Sequence, residues 1–97
     1  MKRRVIVTAK EETQSGTVVA RSVSPGQFPG ERFVELNTAS GIVAAFFPLT
    51  SVNESNRTIR VVIITKESKH YLVNLPSCTL TTGARAWFPE ELVTVGG

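Results

Sequence analysis

Aspartate is missing from this chain, and histidine, cysteine, tryptophan, tyrosine and methionine each occur once in its 97 residues. Each shortage removes a class of chemistry. The lone Cys78 cannot close an intrachain disulfide, which points to a reducing, cytoplasmic setting. One His and one Cys leave too few ligands for a metal centre. A catalytic Cys–His pair needs hydrogen-bond reach and an orienting third group. His70 starts an expected strand and Cys78 lies just past its end, at least ~20 Å away along extended chain. Glu90 and Glu91 are adjacent, so on a helical turn they point apart and read as helix-start carboxylates. A phosphate loop needs Gly-x-x-x-x-Gly-Lys, and Gly26 to Gly30 offers no Lys and no following helix. The expectation is a protein that is not an enzyme and carries no metal or cofactor.

Long apolar runs are also missing. The longest, Ile42 to Phe47, is six residues, against the roughly 20 of a membrane span. Met1-Lys2-Arg3-Arg4 has the charge of a signal-peptide head. The apolar stretch behind it, Val5 to Val7, is too short and gives way to Lys10-Glu11-Glu12. Asn53-Glu54-Ser55 and Asn56-Arg57-Thr58 fit the glycosylation sequon, and without a signal peptide they read as a polar loop.

What is abundant is β-branched. Thirteen Val, five Ile and eleven Thr make 29 of 97 residues. Such side chains are stiff at χ1 and suit a pleated surface. Residues 1–97 read as a single domain, since this length has no room for a second core. A net charge of +3 permits an acidic partner without demanding one.

No window keeps a 3.6-residue period, and strand-like runs separated by turn residues fill the chain. Strands are expected at Arg3–Ala9, Thr17–Val23, Glu31–Leu36, Ile42–Phe47, Thr58–Lys66, His70–Leu75, Ala84–Phe88 and Leu92–Val95, with a brief one at Thr79–Thr81. Lys10 to Ser15 reads as a connection. The segment Ser24 to Gly30, with two Pro and two Gly, is a loop with Phe28 at its tip. Two strands are apolar on both faces. Ile42, Ala44 and Phe46 oppose Val43, Ala45 and Phe47, while Ile59, Val61 and Ile63 oppose Val62 and Ile64. The second face of an antiparallel sheet is usually wet. Here it is covered either by loops and terminal segments or by another subunit.

One pattern recurs. Val34-Glu35-Leu36 … Gly41 … Phe46-Phe47-Pro48, three residues and Val52 match Val73-Asn74-Leu75 … Gly83 … Trp87-Phe88-Pro89, three residues and Val93. The Phe-Pro pairs lie 41 residues apart, with two residues inserted near the second turn. Pro cannot donate to a ladder, so it ends the strand. Its fixed φ suits the first position of a short helical turn. One turn of 3₁₀ then returns the next Val to the core. The reading offers two alternatives: two similar halves, or two turns closing opposite ends of one barrel.

The segment Tyr71-Leu72-Val73-Asn74-Leu75 … Gly83 … Trp87-Phe88-Pro89-Glu90-Glu91-Leu92-Val93 resembles the closing segment of SH3-like small barrels. There a hairpin is followed by a 3₁₀ turn and a last short strand. The resemblance covers about a quarter of the chain. It implies an all-β fold, a small antiparallel barrel or roll of five to seven strands, SH3-like or alternatively OB-like. The acidic loop and paired aromatics of peptide-binding SH3 domains are missing, so proline-motif binding is not implied.

Two functions compete. The first is a binding or adaptor module that acts by protein contact and associates with itself, with Phe28, Ile42, Ala44, Phe46, Val62 and Ile64 at the interface. The second is nucleic-acid binding by Arg57, Arg60, Lys66, Lys69 and Arg85, with Tyr71 and Trp87 as stacking platforms. Arg60 and Lys66 are expected on one face of their strand, as are Arg85 and Trp87. A third reading, a small ligand under the Ser24–Gly30 loop with Phe28 as lid, rests on loop composition alone.

Overall fold

The computed structural model describes residues 13–79 and 83–96, apart from the side chains of Cys78 and Thr79. The expected strand Arg3–Ala9 and the residues 80–82 lie outside the described part. Nine strands and two 3₁₀ turns are described. They are β1 (Gln14–Val19), β2 (Ser22–Pro25), β3 (Glu31–Thr38), β4 (Gly41–Pro48), a 3₁₀ turn (Leu49–Ser51), β5 (Val52–Asn53), β6 (Thr58–Glu67), β7 (His70–Thr79), β8 (Gly83–Pro89), a second 3₁₀ turn (Glu90–Leu92) and β9 (Val93–Val95).

All pairings are antiparallel. The large sheet runs β8-β7-β6-β1-β9, with β5 also on β6, and the small sheet runs β2-β3-β4. Among the described residues these are two sheets and no closed barrel. Their inner faces share one core, in which Val34, Leu36 and Phe47 of the small sheet meet Val18, Ile59, Val73 and Phe88 of the large one. Period-2 alternation selects these residues: in β4 Val43, Ala45 and Phe47 are buried, and in β6 so are Ile59, Val61 and Ile63. None of the described helical segments is long and apolar enough to cross a membrane.

The expected single strand Thr17–Val23 is two strands in different sheets. The chain leaves the large sheet at Ala20, whose N–H donates to the Arg57 carbonyl, and joins the small one at Arg21, whose N–H donates to the Glu35 carbonyl. Those acceptors are 37 and 14 residues downstream, so local alternation could not reveal the break. Strand β1 also starts earlier than expected, at Gln14. Pro25 sits in β2, an edge strand of the small sheet, where a missing donor is tolerated.

Both Phe-Pro turns form as expected, one residue out of phase. Pro48 (φ −61°, ψ 141°) and Pro89 (φ −58°, ψ 143°) are extended N-caps, not first helical residues. Val52 and Val93 then pack against the core. Gly41 and Gly83 hold φ of +117° and +78° at the two matching hairpins, a region open to glycine.

The recurrence extends to the pairing. Val18 pairs with Val93, and Ile59 with Val52. Shifting the first pair by 41 residues, with the strands exchanged, gives the second. Val18 also pairs with Ile59 itself, so a pseudo-twofold axis passes through that central pair. Val34 faces Ala45 in β3–β4, as Val73 faces Ala86 in β7–β8. The two halves are thus β1–β5 and β6–β9, and each lends its last short strand to the first strand of the other. Of the two sequence alternatives, similar halves is the one observed.

Candidate functional site

The small sheet has an outer face that the core does not use. In β3 the outward residues are Phe33, Glu35 and Asn37, and in β4 they are Ile42, Ala44 and Phe46. Cross-strand partners are Phe33 with Phe46, Glu35 with Ala44 and Asn37 with Ile42. The Phe33 and Phe46 rings lie 5.1 Å apart, tilted by 54°, a favourable aromatic geometry. Ile42 is 55 % exposed, and Ala44 and Phe46 are partly so. Glu35 borders this row and is held by the Ser22 hydroxyl at 3.0 Å and by Arg21 at 3.9 Å.

A two-residue loop, Ala39-Ser40, fixes that register by pairing Thr38 with Gly41. The Thr38 hydroxyl closes it, donating to the Gly41 carbonyl and accepting from the Ser40 N–H. The expected strands Glu31–Leu36 and Ile42–Phe47 leave residues 37–41 between them, a spacing that does not set Phe33 beside Phe46. The signal was the Gly at 41, which allows the tighter turn.

The proposed interface residues divide between two surfaces. Ile42, Ala44 and Phe46 share the outer face of the small sheet. Val62, 42 % exposed, and Ile64, half-buried, lie on β6 of the large sheet. Phe28 stands in the β2–β3 loop, 66 % exposed.

The basic residues divide as well. A bulge between Ile63 and Thr65 interrupts the alternation of β6. Arg60 and Val62 therefore face outward, while Lys66 pairs with Tyr71, on the side of β7 that packs against the core. Arg60 and Lys66 thus do not share a face, because the bulge reverses parity between them. Lys66 Nζ sits 3.2 Å from Glu90 Oε1 and 5.3 Å from the Tyr71 ring centre. The hydrogen bond to Glu90, with the Tyr71 and Glu90 charges, holds the Lys66 ammonium above its usual pKa. Lys69 is exposed in the β6–β7 turn, and its carbonyl accepts the Glu90 N–H. Arg57 occupies the turn before β6 at φ +57°, and its guanidinium donates to the Arg21 carbonyl at 3.3 Å.

Arg85 and Trp87 do share the outer face of β8, alternating with buried Ala86 and Phe88. Arg85 pairs with Asn74, which pairs with Val62, the outward neighbour of Arg60. Neither Arg60 nor Arg85 has an ion pair among the described residues. Arg60 stands between two open hollows of about 450 and 400 Å³, the first lined by hydroxyls and amides including Thr17, Ser51 and Asn53. Trp87 borders another of about 320 Å³ with Ala39, Glu67, Ser68 and His70. Among the described residues no three His, Cys or Glu side chains gather as a metal site.

Among the described residues these features define an all-β arrangement of two antiparallel sheets, with a partly exposed apolar row on the outer face of the smaller one. No family model, no curated protein and no solved structure matches the chain.

Proposed function

We propose that the protein is a non-enzymatic contact module that associates with itself through the outer face of its small sheet. The observation that carries this is the row Phe33, Phe46, Ala44 and Ile42, apolar on the side of the sheet that builds no core. Ile42 is exposed and Phe33, Ala44 and Phe46 are partly exposed among the described residues, and contiguous exposed apolar surface marks contact sites. The order of elements in each half, a meander followed by a 3₁₀ turn and a short strand, supports an SH3-like reading of the fold. The single cysteine supports a cytoplasmic setting. Light scattering under reducing conditions tests the reading. A dimer or larger species is expected, dissolved by Phe46→Glu, and a clean monomer at ~100 μM removes the proposal.

A second reading is favoured by one observation: Arg60 and Arg85, without an ion pair among the described residues, lie on the same outer surface as Trp87. Single-stranded oligonucleotides would bind there with an affinity that falls steeply with salt. No binding at ~50 mM salt excludes it.

A further inference from the structure

The self-contact proposed above leaves open how two copies meet, and the backbone of β4 answers that. Arg21 N–H donates to the Glu35 carbonyl, so Glu35 turns its backbone groups toward β2. In an antiparallel ladder, opposed residues alternate between pairs that exchange hydrogen bonds and pairs that do not. Glu35 faces Ala44, so this pair exchanges none. Ala44 therefore directs its N–H and C=O away from β3, and by alternation so do Ile42 and Phe46. Among the described residues no strand hydrogen-bonds to that side, because β4 ends the small sheet.

Open edges are ordinarily blunted by charge, an internal Pro or a bulge. Between Gly41 and Pro48 this edge has no charged residue and no internal Pro, and its pairing with β3 is free of bulges. The pseudo-twofold axis supplies a comparison inside the same molecule. Strand β8 is the equivalent edge, and it is blunted. Arg85 stands where β4 has Ala44, Gly83 stands for Ile42, and the Trp87 carbonyl already accepts the Ala39 N–H.

We infer that β4 pairs antiparallel with β4 of a second copy, about a twofold axis at Ala44. This register sets Ile42 opposite Phe46 of the partner subunit and Ala44 opposite its own copy. It is the register that uses all the N–H and C=O groups of Ile42, Ala44 and Phe46, which no strand pairs among the described residues. It also sets large side chains beside large ones on the outer face, with the small Ala44 pair between them. The two small sheets then form one continuous sheet. The same construction at β8 would bring Arg85 against Arg85, and like charges directly opposite repel. The inference rests on the reading that the chain associates with itself, and it puts the contact at the β4 edge of the small sheet, with the outer faces of the two copies side by side rather than against each other.

Amide hydrogen exchange on the full chain, read residue by residue over a dilution series with reductant present, tests the register. Protection at Ile42, Ala44 and Phe46 that rises with concentration is expected. Ala44→Lys, and Ala44→Arg as the β8-like variant, should be monomeric with an unchanged near-UV spectrum and fast exchange at Ile42 and Phe46. A dimer that survives both variants but falls apart in Phe46→Glu would keep the self-contact and overturn the edge pairing. Equal exchange of these amides in dimer and monomer would overturn it too. A monomer with the three amides protected only while residues 1–12 are present would assign the edge to the chain's own N-terminal segment and overturn both readings.

Discussion

Phe46 and Phe47 are neighbours in β4 and receive opposite roles, which makes them the sharpest test of the face assignment. Phe47 is fully buried in the shared core. Truncating such a ring to Ala costs about 3–5 kcal/mol, the sum of lost transfer free energy and an unfilled cavity. For a domain whose whole stability is of the order of 5–15 kcal/mol, that is a large share. Phe46 lies on the outer face, where its ring meets Phe33 at 5.1 Å. Losing that pair should cost the monomer about 0.5–1.5 kcal/mol beyond the apolar area that the partly exposed ring buries, and it leaves no enclosed cavity. Urea unfolding at low protein concentration separates the two, because dilution removes any contribution from association. With a slope of about 1–3 kcal/mol/M, the Phe47→Ala midpoint should fall by on the order of 2 M and the Phe46→Ala midpoint by clearly less. Phe47→Leu, which keeps most of the volume, should cost below about 1.5 kcal/mol and guards against a variant that does not fold. Phe88 is Phe47's counterpart and equally buried, so Phe88→Ala should match Phe47→Ala within about 1 kcal/mol. Equal costs for Phe46→Ala and Phe47→Ala would mean that the outer face is packed within the monomer, and the contact surface would be lost with it.

Other expectations follow from single sites. Gly16 lies between β6 and β9, and a Cβ there would stand 2.6 Å from the Thr94 carbonyl oxygen and 2.5 Å from Ile63 Cδ1. Gly16→Ala should therefore cost about 1–3 kcal/mol in urea unfolding, and a neutral result would show that β9 shifts freely. The raised pKa of Lys66 contributes stability that is fully present below the ordinary lysine value. It should be lost as pH rises through the folded value, so melting curves at alkaline pH should show a loss in the native chain that is reduced in Glu90→Gln. If single-stranded oligonucleotide binding is detected, Arg60→Gln should lower the slope of log affinity against log salt by about one contact. An unchanged slope would place the bound strand elsewhere.

The candidate surface was half legible in the sequence. Alternation alone set Ile42, Ala44 and Phe46 against Val43, Ala45 and Phe47, because successive strand residues must point to opposite faces. It could not add Phe33, since cross-strand neighbours depend on turn length, and Ala39-Ser40 is tighter than the polar stretch around it implies. It grouped Arg60 with Lys66 because a bulge between Ile63 and Thr65 leaves no mark in a row of β-branched residues. Arg85 and Trp87, with no irregularity between them, were grouped correctly.

The strand class, the inner and outer sides of β4 and of β6 as far as Ile63, and the two Phe-Pro turns could be read from the sequence. These depend on χ1 stiffness, the pleat and the fixed φ of proline, which act within a few residues. The change of sheets at Ala20–Arg21, the crossing of β5 and β9 to the opposite halves, and the place of β4 at the end of its sheet among the described residues emerge only in three dimensions. Each of these depends on which backbone groups meet across tens of residues, and hydrogen-bond partners at that distance are chosen by the packing of both sheets around one core.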